Sequence, residues 1–156
     1  MIRKILLLLS HVAACAVGFA LGIYMLPILM APESPSSMEL ALVEKAAEYG
    51  ATFQRDLKDS DFLHWGEGTV HLSDTAVVFQ GKLAPGPDYR LYLSPEFVET
   101  EAEFLALKAQ MRQVGSIDTF DSFMLTLPDG VRTDDYRAVI VWCESFSQFI
   151  TAAQYR

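Results

Sequence analysis

Tyr136-Arg137-Ala138-Val139-Ile140-Val141-Trp142-Cys143-Glu144-Ser145-Phe146 decides the reading of this chain. Ala138 to Trp142 is a continuous apolar run rich in β-branched residues, the composition of a strand buried on both faces. Alternation along such a strand sends Val139, Val141 and Cys143 to one side and Ala138, Ile140 and Trp142 to the other. Phe146, Phe149 and Ile150 follow as apolar cover. Cys143 is the only cysteine beyond the apolar N-terminus.

Working back from this run, the spacing of apolar residues keeps a period of two as far as Thr52. Residues 62–72, interrupted by Gly66 and Gly68, read as a strand with a bulge. Ser73-Asp74 turns the chain into a strand over residues 76–80. Gly86-Pro87-Asp88 is a turn leading into the alternating run 89–93. Thr100 and Glu103 form a capping-box pair that opens a short helix. Residues 114–120 and 123–127 are further strands, and Pro128-Asp129-Gly130 turns towards the Cys143 strand. The end of the chain, residues 146–155, fits either a helical face through Phe146, Phe149, Ile150 and Ala153 or a final strand. Seven or eight short strands with one short internal helix predict a mainly β domain, an antiparallel β-sandwich or barrel.

The first residues are of another kind. Arg3 and Lys4 are followed by residues 5–31 with no Asp, Glu, Lys or Arg. Residues 5–26 alone would make a helix of ~33 Å, enough for the ~30 Å hydrocarbon core of a bilayer. The run is longer than the hydrophobic part of an ordinary signal peptide, so an uncleaved transmembrane helix over residues 1–31 is expected. Basic residues before it place the N-terminus inside and the domain on the periplasmic or extracellular side. Val12-Ala13-Ala14-Cys15 resembles a bacterial lipobox, but the apolar run continues past Cys15 where a lipoprotein would begin a polar tether. Pro32-Glu33-Ser34-Pro35-Ser36-Ser37 is a linker by composition. Ser36 with Glu39 opens a stalk helix expected to stop at Gly50. The expected organisation is an anchor over 1–31, linker and stalk helix over 32–49, and a β domain over 50–156.

Residues 32–156 carry ten Lys and Arg against twenty Asp and Glu, a formal charge of −10. Such a surface repels phosphate backbones, which excludes nucleic acid as a partner.

Several pieces of the chain stand in an order that resembles the DM-thirteen domain family. They are His64 before Gly66 and Gly68, Gly86-Pro87-Asp88 leading into Tyr92-Leu93-Ser94, Leu127-Pro128 before Tyr136, and Val141-Trp142-Cys143 followed by Phe146, Phe149 and Ala153. The likeness covers roughly residues 50–155. That family is described as an electron-transfer module found beside DOMON domains. It implies a final strand after Phe146 and a redox role for Cys143, as a naked thiol or in support of a prosthetic group such as haem or copper. With no DOMON or cytochrome domain alongside, the expected partner is a separate redox protein.

Read from the residues alone, Cys143 has two faces. A reactive thiolate needs a neighbouring cation and access, and the adjacent charge is Glu144. A lone cysteine on an apolar strand also serves as a small core hydrophobe. His64 and His71 are the only histidines of the domain. They join Trp142 as candidate neighbours of Cys143, since imidazole and thiolate suit copper, haem or zinc. Seven residues apart on one regular strand the two histidines would face opposite ways. No Cys-x-x-Cys-His is present, which excludes covalent c-type haem. Asp129, Asp134 and Asp135 gather around one turn and suit either calcium or a solvated loop. Gly-x-Ser-x-Gly is absent, so nothing marks a hydrolase. Two functions stand side by side: an exported thiol-redox accessory, or a non-catalytic binding or envelope-structural module with an inert cysteine.

Overall fold

Two four-stranded antiparallel sheets face each other, one ordered β1-β2-β3-β6 and the other β5-β4-β7-β8. They are seen in a computed structural model that describes residues 2–156. The strands are β1 (Tyr49–Phe53), β2 (Gly66–Leu72), β3 (Ala76–Leu83), β4 (Tyr89–Ser94), β5 (Arg112–Ile117), β6 (Ser122–Thr126), β7 (Ala138–Cys143) and β8 (Gln148–Gln154). Three α-helices accompany them among the described residues: α1 (Ile2–Met30), α2 (Ser37–Lys45) and α3 (Glu101–Leu107). The architecture is a sandwich rather than a closed barrel.

Every residue of β7 is buried, as its composition requires. The cause is a layer on each side. Val139, Val141 and Cys143 enter the core between the sheets with Val70, Phe79, Leu91 and Ile150. Ile140 and Trp142 point to the opposite side, into a second apolar cluster that α3 closes with Phe104. The first sheet repeats the arrangement. Val77 and Phe79 face the sandwich core, while α2 packs on β2 and β3.

Three expectations are corrected and one open alternative is decided. The stalk helix has its capping box at Ser36 and Glu39, but it ends at Lys45, and Gly50 lies inside β1. Pairing of Tyr49 with Leu72 draws these residues into the sheet, and a ladder partner outweighs glycine as a helix stop. The strand expected over 62–72 begins only at Gly66, because Asp61 caps a tight turn before it. Neither Gly66 nor Gly68 marks a bulge, since β2 pairs with β3 residue for residue. The glycines serve close approach instead. Gly68 opposes Gly81 and has φ +141°, and a methyl group on it would lie 2.3 Å from the carbonyl oxygen of Gln80. Last, the ambiguous end is a strand, β8, paired with β7.

α1 is long and apolar enough to cross a membrane, and a signal sequence near an N-terminus would meet the same test. None of its residues is buried. It continues unbroken through Cys15. Its first residue to line a cavity shared with the β domain is Ala20.

Candidate functional site

Cys143 is the last residue of β7, where the strand leaves the core and turns into β8. Two loops hold this corner together. Asp88, in a left-handed conformation at φ 55°, accepts hydrogen bonds from Arg90 at 2.6 Å and from the Ser145 hydroxyl at 2.9 Å. Its backbone carbonyl also accepts the Glu144 N–H at 3.1 Å. The Gly86-Pro87-Asp88 turn and the β7–β8 turn are thereby locked. The Cys143 thiol donates to the carbonyl of Pro87 at 3.1 Å. Directly across the sheet stands Tyr89, buried, with its hydroxyl donating to Ala84 O at 2.9 Å. Gly86 makes room for that ring, because a Cβ there would meet the Tyr89 hydroxyl oxygen at 2.4 Å.

Next to this corner is a cavity of about 350 Å³. Cys143, Tyr89 and Ile150 line it from the sandwich, Leu63 and His64 from the loop before β2, and Phe146 from the β7–β8 turn. Residues 20, 21, 23 and 24 of α1 make another wall, and Pro85, Gly86, Pro87 and Gln148 complete the lining. The lining is apolar apart from a few groups. One of them is the His64 imidazole, whose placement is local in origin. Asp61 Oδ1 accepts the N–H groups of Leu63 at 2.7 Å and His64 at 2.8 Å, and its Oδ2 lies 3.0 Å from His64 Nδ1. Burial works against the Asp61 charge, yet the His64 ring and the two N–H groups outweigh it and hold the carboxyl below its usual range. Nε2 is the nitrogen left free of Asp61.

Burial pushes the Cys143 thiol above its ordinary pKa, with the Asp88 carboxylate adding to the effect. The N–H groups of Phe146 and Ser145 oppose the rise without cancelling it. Glu144, the adjacent charge expected to work against a thiolate, contributes least of these. Its side chain is turned away, where it takes hydrogen bonds from Lys108 Nζ at 2.6 Å and from the Tyr92 hydroxyl. Burial opposes ionisation of Glu144, but these two partners outweigh it and keep its pKa low. A direct consequence is testable. In a Cys15→Ser background, alkylation of native Cys143 by iodoacetamide should follow a pH profile whose midpoint lies above that of an ordinary cysteine. At pH 8 the smaller thiolate fraction then makes the reaction slower than with glutathione. A midpoint below the ordinary value would show that the N–H groups dominate.

Of the residues singled out from sequence, the structure brings His64 and Cys143 to one cavity. It does not bring Trp142 there. Strand alternation puts Trp142 on the other side of β7, stacked on Phe104 at 4.0 Å between ring centroids and 12° between planes. It is a buried core residue that does not line the cavity. His71 is also elsewhere, on β2 with Nε2 3.7 Å from Glu44 Oε1 of α2. Copper bound by two imidazoles and a thiolate does not fit this donor set, because only one histidine reaches the cavity. A haem would find His64 as its one imidazole. No group of three His, Cys, Asp or Glu suited to a metal occurs among the described residues. Asp134 bonds instead to Arg132 at 3.2 Å and to the Tyr49 hydroxyl. Sequence reading missed Asp61, Leu63 and Tyr89 as parts of the site. The Asp-x-x-His spacing of Asp61 and His64 was the available signal.

Comparison with known proteins gives one match. Residues 56–155 fit the model of a family described as "Electron transfer DM13". No curated protein and no solved structure matches the chain.

Proposed function

The chain belongs to the DM13 electron-transfer family, and from that premise we propose that it is a membrane-tethered domain that passes electrons through Cys143. The observation that carries this reading is the cavity that holds the thiol together with a carboxylate-backed imidazole. A Cys–His–Asp set of this kind suits removal of a proton from sulfur. His64 Nε2 takes the thiol proton, and Asp61 steadies the imidazolium through Nδ1. The thiolate attacks a disulfide of a separate redox protein. That S–S bond breaks, a mixed disulfide forms, and the second sulfur leaves as a thiolate on the acceptor. One thiolate of an electron donor attacks the Cys143 sulfur, freeing the acceptor's other thiolate, and a second donor thiolate releases Cys143. Two electrons have then moved from a donor dithiol to an acceptor disulfide.

The tether in this reading is α1. Arg3 and Lys4 at its start, with the acidic domain after it, support an N-in orientation with the domain on the periplasmic or extracellular side. That compartment permits disulfide chemistry.

One observation favours the second reading, a non-catalytic module with a packed cysteine: the thiol is a hydrogen-bond donor and its pKa is raised. A single experiment separates the two. The full chain in detergent, as Cys15→Ser, is incubated with oxidised glutathione and followed by mass spectrometry. The redox reading expects a mixed disulfide at Cys143 under native conditions. His64→Ala should form it more slowly, by roughly 100-fold if the imidazole acts as the base. Exchange that begins only after denaturation leaves the inert packing role.

A further inference from the structure

The cavity has a wall that a redox thiol alone does not require. That wall is α1, the one helix among the described residues long and apolar enough to cross a membrane. With Arg3 and Lys4 held at the inner surface, residues 5–24 make 20 residues of helix, about 30 Å at 1.5 Å per residue. This matches the ~30 Å of a hydrocarbon core. Ala20, Leu21, Ile23 and Tyr24 are then its last turn at the outer boundary, where a tyrosine is at home. The cavity mouth then lies at the lipid boundary. The domain's own contributions on that side are also apolar and open. Of the residues lining the cavity, Phe146 is 56% exposed and Leu63 42%, and Phe62, next to Leu63 in the chain, is 84% exposed. Large apolar side chains so exposed, beside an apolar cavity, mark a surface built to meet something other than water.

We propose that this cavity binds the ring of a membrane-dissolved quinone, admitted from the bilayer between α1 and the Phe62-Leu63 loop. The choice of a quinone over a plain acyl chain rests on the electron-transfer reading above and on two features of the lining. First, the volume of about 350 Å³ and the apolar walls are those of a small-molecule site with few polar groups to orient its ligand. Second, one of those groups is His64, with Nδ1 engaged by Asp61 and Nε2 free. A ring nitrogen held in that way suits hydrogen bonding to a quinone carbonyl or a quinol hydroxyl. Tyr89 cannot compete, as its hydroxyl already donates to Ala84 O. The domain's negative charge does not oppose the binding of an uncharged ring.

The test is a calorimetric titration of the full chain in lipid nanodiscs with a decyl-substituted benzoquinone, and in parallel with decylbenzene, which has the same tail and no carbonyls. Saturable binding of one quinone per chain is expected, with decylbenzene at least tenfold weaker. His64→Leu should remove that preference, and Ala20→Trp, which fills the cavity from the α1 side and leaves the residues of the β domain unchanged, should abolish binding. The fate of the thiol mechanism is read separately by the glutathione experiment, which contains no quinone. Unsaturable uptake equal to that of empty nanodiscs would overturn the proposal, as would equal binding of decylbenzene, which describes an acyl-chain site. Indifference to Ala20→Trp would place the quinone elsewhere.

Discussion

Trp142→Ala should cost the β domain about 3–5 kcal/mol, the range for removing a large aromatic from a packed interior. The reason is geometric. Trp142 is fully buried and is one of the largest side chains of the second core, stacked on Phe104 and paired across the sheet with Phe149. Above this stack the Lys108 ammonium lies 5.8 Å from the Trp142 ring centroid and 5.7 Å from that of Phe104. Losing the indole would leave a void that α3, only seven residues long, cannot easily fill. At roughly 4–8 °C per kcal/mol for a domain of this size, the melting temperature should drop by well over 10 °C. Trp142→Phe tests the argument more finely. It keeps a ring for Phe104 and deletes an Nε1 that has no hydrogen-bond partner. Its cost should be less than half that of alanine. Because Trp142 lies across the strand from the cavity, the glutathione exchange rate of Cys143 should be unaffected in Trp142→Phe. A changed rate with unchanged stability would mean that the two sides of β7 communicate.

The second large effect is expected at a position with no side chain. Gly68→Ala places a methyl group 2.3 Å from Gln80 O and 2.5 Å from Gly81 Cα, both backbone atoms that cannot move aside without parting β2 from β3. Its φ of +141° adds strain for any other residue, of the order of 1–3 kcal/mol by itself. The variant should unfold at much lower urea than the parent, or fail to accumulate as folded protein. Gly130→Ala is the comparison that isolates the two causes. Gly130 also has a positive φ, 76°, but a Cβ there meets nothing within 4 Å. It should lose only the conformational part, about 1 kcal/mol. Equal urea midpoints for the two variants would show that the contact with β3 is unimportant.

How much of this was legible in the chain is best seen in β7 itself. Alternation alone separates Cys143 from Trp142, and the composition of residues 138–142 announces a strand with cover on both sides. The capping pair Ser36 and Glu39 and the turn at Gly86-Pro87-Asp88 are equally local and came through as read. The misreadings share a cause. Gly50, Gly66 and Gly68 are local signals for stops and bulges, and in each case pairing with a distant strand decided their role.

By itself, then, the sequence determined a mainly β antiparallel domain, the apolar N-terminal helix, the two sides of the Cys143 strand and the family to which the chain belongs, because these follow from patterns along the chain. That the sheets form a sandwich and not a barrel was decided by the tertiary structure. Only the tertiary structure decided which residues share a cavity. His64 and Cys143 are distant along the chain, and the wall formed by α1 is farther still. Such meetings depend on how sheets and loops pack in three dimensions, and no periodicity within a strand encodes which loop will close over its end.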